Sequence, residues 1–150
     1  MNREKFFPIL IAVAVAVVVL PVFADARAGD GESMGLRTVM KRLGQDMQAV
    51  TGAISREDWA MVEELAPGIA RHAEPPMAEK VRILRWLGVD AGTFREFDAQ
   101  VERAADGMAG AAARGDGPQV IHAFAEVQQA CLGCHQQYRK PFAKHFYGRR

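Results

Sequence analysis

Val120, Phe124, Val127, Cys131, Cys134 and Tyr138 are spaced by 4, 3, 4, 3 and 4 residues. Apolar positions at that interval form one seam of an α-helix packed inside a bundle. Two of the six are the only cysteines in the chain. Whatever those thiols do, they do it from the inner face of a helix. They stand three residues apart, and His135 follows directly, giving Cys131-Leu132-Gly133-Cys134-His135. On a helix, positions i, i+3 and i+4 share a face, so both sulfurs and the imidazole aim the same way.

Cys-x-x-Cys-His is the pattern of covalent c-type haem attachment, with Cys131 and Cys134 as thioethers and His135 as proximal iron ligand. Two other readings of the cysteines compete with it. A redox Cys-x-x-Cys normally opens a helix after a strand, but this one sits late in a helical stretch. A zinc site usually takes four ligands, and the chain has no third or fourth cysteine. One covalently bound haem c is therefore the expected cofactor.

At the other end, Arg3 and Lys5 precede an uncharged apolar run from Phe6 to Leu20, and small residues follow as far as Ala28. That is the layout of a secretory signal. Residues 1–24 are expected to be removed, with Ala26 and Ala28 as other cleavage points, leaving 25–150 as one domain. An uncleaved anchor is the alternative, but Phe6 to Ala24 is barely long enough to span a bilayer. Removing Arg3, Glu4 and Lys5 from totals of 19 basic and 18 acidic residues leaves 17 of each. A near-neutral mature chain gives no global reason to bind nucleic acid or an anionic membrane, and no stable membrane span is expected after cleavage.

Four long helical patterns can be counted, and no hairpin signal is visible. The first runs from about Glu32 to Ile54, with Leu36, Met40, Leu43, Met47, Val50 and Ile54 as its seam. The second begins at Ser55 in a capping-box-like Ser55-Arg56-Glu57-Asp58. Pro67 is expected to kink it or end it early. Pro75 and Pro76 break the chain, and Met77 to Leu87 is expected to cross the bundle end with Val81, Leu84 and Leu87 inward. The third long helix spans about Ala91 to Arg114. Pro118 opens the fourth, and Pro141 is expected to end it soon after Tyr138.

Short connections between amphipathic helices predict an all-α, antiparallel, up-down-up-down four-helix bundle with haem near the C-terminus. The start of helix one then lies beside the end of helix four. The depth that matches His135 falls near Met40. Met47, seven residues on and about 10 Å further along the axis, is expected to lie too deep.

From about Met34 to Arg139 the chain resembles the class II c-type cytochromes, cytochrome c prime and its low-spin, methionine-ligated relatives. The likeness is carried by Cys131-Leu132-Gly133-Cys134-His135-Gln136-Gln137-Tyr138-Arg139, and more weakly by Met40-Lys41-Arg42-Leu43-Gly44. Leu36 departs from the pattern, since many members carry arginine there. The resemblance implies a periplasmic, non-enzymatic carrier of single electrons, with Arg139 near the haem and Met40 as distal iron ligand. It also implies the alternative, a five-coordinate haem protein open to NO or CO. It leaves a homodimer open and does not identify the redox partner proteins. His72, His122 and His145 are weaker ligand candidates; most lone histidines are solvated or structural. Trp59 and Trp86 read as core. Arg139, Lys140, Lys144, Arg149 and Arg150 form a basic C-terminal segment with no acidic residue after Glu126.

Overall fold

The structure is a computed structural model that describes residues 35–148. The expected signal segment, the helical start at Glu32, Met34, Arg149 and Arg150 lie outside the described residues. The helices are α1 (Gly35–Ser55), α2 (Trp59–Ala70), α3 (Met77–Leu87), α4 (Ala91–Ala113), α5 (Gly117–Cys134) and α6 (Lys140–Tyr147). A π-helical turn, His135–Arg139, joins the last two. Helices α1, α2, α4 and α5 make the expected antiparallel bundle, with α2 against α4 and α4 against α5 as its broadest interfaces.

The bundle closes because each long helix contributes a narrow stripe of small or branched side chains. Val50, Val62, Ala66, Ile69, Ala105, Met108, Ala111, Val120 and Val127 are almost fully buried in one cluster. Alanines on α4 and α5 let those axes approach closely, and the larger side chains fill the space between layers. A second cluster caps the end where α1 begins and α5 finishes. Ile83, Leu87 and Tyr138 are buried there among Leu36, Trp86, Phe142 and Phe146. Glu79 of α3 ties this end together: its carboxylate accepts from the amides of Gly35 at 2.6 Å and Leu36 at 2.8 Å. Those amides have no intrahelical partner at a helix start.

Four local expectations are corrected. Ser55 does not cap α2; it ends α1, with its hydroxyl donating to the Thr51 carbonyl. Glu57 turns left-handed, at φ 55°, and Asp58 becomes the cap by accepting from the Met61 amide. Pro67 does not end α2 early, and the helix runs on to Ala70. The carbonyl deprived of its donor belongs to Glu63, an exposed residue, so water can serve it. Pro141 likewise fails to end the helix. It sits in the first turn of α6, where a missing amide proton costs nothing, and the π-turn before it has already left the i→i−4 ladder. On α3, Val81 faces solvent at 45 % exposure while Ile83 and Leu87, four residues apart on one face, are buried with Leu84 beside them.

Candidate functional site

At the capped end a cavity of about 330 Å³ opens between α1, α4 and α5. Cys131 and Cys134 line it from α5, His135 from the π-turn that follows, and Met40 from α1. Residues 95 positions apart in sequence share one cavity because α1 and α5 run in opposite directions. Met47, expected too deep, also lines the cavity. The two methionines differ in support. Met47 is half-buried against the main core, whereas Met40 is 40 % exposed.

The rest of the wall is mostly apolar. Leu43 and Gly44 come from α1, and Phe94, Phe97 and Val101 from α4. A side chain added at Gly44 would meet no atom within 4 Å, so this position widens the cavity beside Met40. Gly133 serves the opposite purpose. A Cβ there would lie 2.6 Å from Phe97 Cε1, inside any real contact distance. Its absence lets the cysteine-bearing turn press against α4.

The electrostatics separate the possible chemistries. Burial raises the thiol of Cys131, and burial with the nearby Cys131 and Asp98 pushes that of Cys134 up to about 11. Reactive redox cysteines need the reverse, a lowered thiol pKa. Burial, and then the charge of Arg139, holds His135 below the ordinary histidine value. A neutral imidazole keeps a lone pair free for a metal. Among the described residues, no group of three or more His, Cys, Asp or Glu is set to hold a metal ion, so the zinc reading gains no ligands.

Two thiols and an imidazole on one helical face, a thioether opposite and apolar walls between them fit a flat, apolar iron macrocycle. Arg139 does not line the cavity; it is exposed on the π-turn, close enough to act on His135. His145 lies on α6, stacked on Trp86 at 5.8 Å, and is not in the wall. His122 is exposed beside Glu126. His72 is in the wall, a placement its sequence context gave no sign of. Its Nδ1 lies 3.0 Å from the Ile69 carbonyl and its Nε2 3.3 Å from Asp98 Oδ1. Asp98 was open to detection, because it follows Phe97 and precedes Val101 by three on the inner side of α4.

Residues 89–139 match the family described as Cytochrome C'. Over that stretch the chain is similar to the cytochrome c prime family. The matched segment starts just before α4, takes in α5 and ends with Arg139 at the close of the π-turn. It thus contains the two cysteines, His135 and the α4 wall, while Met40 and His72 lie outside it. Similarity to the cytochrome c prime family implies a haem cofactor. No curated protein and no solved structure matches the chain. No helix among the described residues is long and apolar enough to cross a membrane.

Proposed function

We propose that this protein is a member of the cytochrome c prime family that serves as a periplasmic carrier of single electrons and catalyses no bond chemistry. The reading rests on one observation: Met40 and His135 line the same cavity from opposite helices. When bound, a haem supplies an iron that cycles between ferric and ferrous. Cys131 and Cys134 would fasten it through thioethers, His135 would hold the iron on the proximal side and Met40 on the distal side. A Met/His ligand set raises the potential relative to other sets. The apolar walls from α1 and α4 would limit water at the iron and favour the less charged state. The periplasmic assignment is supported by the signal-like stretch from Phe6 to Ala28.

One observation favours a second reading, binding of NO or CO. Met40 is an unbranched side chain beside the open space at Gly44, and methionine is the most adaptable of core residues. If it packs over the iron without ligating it, a diatomic gas can enter.

Optical spectra of the holoprotein, ferric and ferrous, with and without CO, test both. Electron transfer predicts a low-spin spectrum with a methionine–iron charge-transfer band. That spectrum should be indifferent to CO, and the band should be lost in Met40→Ala. A high-spin spectrum that shifts at once on adding CO would reject Met40 ligation and make gas binding the function.

A further inference from the structure

His72 is the wall residue that the electron-carrier reading leaves without a task. It follows the end of α2 and lines the same cavity as Met40 and His135. Its two ring nitrogens have unequal partners. Nδ1 lies 3.0 Å from the Ile69 carbonyl, an oxygen that can only accept. Nδ1 therefore carries a proton in both charge states of the ring. That carbonyl belongs to the last turn of α2, where carbonyls lack an intrahelical donor and the helix dipole favours a cation. Nε2 lies 3.3 Å from Asp98 Oδ1. The proton that comes and goes is thus the one on Nε2, and it is shared with a carboxylate. When it leaves, two lone pairs face each other.

Few other charges act on this ring. Asp98 of α4 is the chief one, and Glu74, beyond the end of α2, is a lesser one that lies 2.6 Å from Lys80. Arg71 beside it is paired with Asp106 at 3.0 Å. The wall residues from α1 have no ionisable side chain. Those from α5 and the π-turn that do are Cys131, Cys134 and His135, which haem attachment and iron ligation would occupy. Asp98 also acts on Cys134, so the charge of the pair reaches the face that would fasten the haem. With its proton the pair is neutral, imidazolium beside carboxylate. Without it, one uncompensated negative charge stands in a mostly apolar wall. The Asp98 side chain is 61 % exposed, which gives the pair a route to solvent.

We propose that His72, with Asp98 as its counter-charge, takes up a proton when the haem iron is reduced and releases it on reoxidation, so that electron and proton transfer are linked. The proposal rests on the electron-carrier reading above. The electron comes from the redox partner and removes one positive charge from the cavity. The proton comes from solvent: a hydronium ion becomes water as the Nε2–H bond forms, and reoxidation reverses the step. At an effective dielectric constant of about 20, a unit charge roughly 10 Å away changes a proton affinity about tenfold. His72 should therefore hold its proton about tenfold more tightly in the ferrous protein. The hydrogen bond to Asp98 raises the ring above the ordinary 6.5, which brings the exchange toward neutral pH.

The test is the midpoint potential of the holoprotein, measured spectroelectrochemically from about pH 5 to about pH 9. It should be level in acid, fall across the histidine range and level again. The total fall should be ~59 mV, which is a tenfold change for one electron. Reduction of the wild type in weak buffer should take up about half a proton at the middle of that range. His72→Gln should level the profile, and Asp98→Asn should move the fall to lower pH. Should His72→Gln not fold, Asp98→Asn identifies the same group without removing the imidazole. A constant wild-type potential, or a fall that neither variant alters, would overturn the proposal and leave the carrier reading standing. An unaltered fall would belong to other groups, such as the haem's own carboxylates. Loss of the methionine–iron band over the same pH range would overturn it in favour of Nε2 replacing Met40 on the iron. A protein with no reversible one-electron couple would sink the carrier reading and the proton link with it.

Discussion

His72 is held at both ring nitrogens, by the Ile69 carbonyl and by Asp98, and only 17 % of its side chain is exposed. The hydrogen bond to Asp98 favours the charged imidazole more than burial opposes it, so its pKa lies above the ordinary 6.5. A group whose pKa is raised on folding adds stability that is complete below its unfolded value. That stability is lost as pH climbs through the folded value. Urea unfolding of the holoprotein should therefore show stability falling from pH 6 upward through neutrality. Asp98→Asn should flatten that fall, and an unchanged slope would show that the pair contributes nothing. Cys131, Cys134 and His135 were legible one by one, because a covalent motif needs only local spacing. The His72–Asp98 pair was not legible, since it joins a residue beyond the end of α2 to the middle of α4.

Prolines mark where propensity and tertiary packing compete. Pro67 sits in the last turns of α2, whose neighbours Ala66, Ile69 and Ala70 are buried. Packing against α4 holds a conformation that the isolated sequence disfavours. Pro67→Ala should restore an amide donor to the Glu63 carbonyl and stabilise the protein by about 1–2 kcal/mol. A higher urea midpoint at constant slope would confirm it; a lower one would mean that the ring's own packing outweighs the missing bond. Pro141 differs, because a π-turn precedes it and relieves the clash in advance. Helical periodicity placed both cysteines on an inner seam, but it carries no signal for one widened turn. The continuation into α6 was therefore invisible, and with it the aromatic cluster that α6 completes.

The molecule is two cores in series, an alanine-rich core along the bundle and an aromatic one across the end that bears the cavity. A chain ending at Arg139 would lose Phe142 and Phe146 and expose Trp86 and Leu36. Stability should drop by about 3–6 kcal/mol, with Trp86 fluorescence shifted toward that of exposed tryptophan. The helical signal of the four-helix core should persist, and its collapse would show that the two cores fold only together. Sequence by itself determined what depends on period and local spacing: the helices, their buried stripes, their antiparallel order and the Cys131-Cys134-His135 set. From that order followed the placing of Met40 and His135 at the same end of the bundle. Tertiary structure alone decided which side chains from distant segments complete the site. Met47 reaches the cavity, Gly133 admits Phe97, His72 meets Asp98, and Arg37 and Arg82 meet the aromatic rings of α6. Each of these depends on the distance and rotation between helices, which close packing of side-chain volumes sets and which no single helix's pattern records.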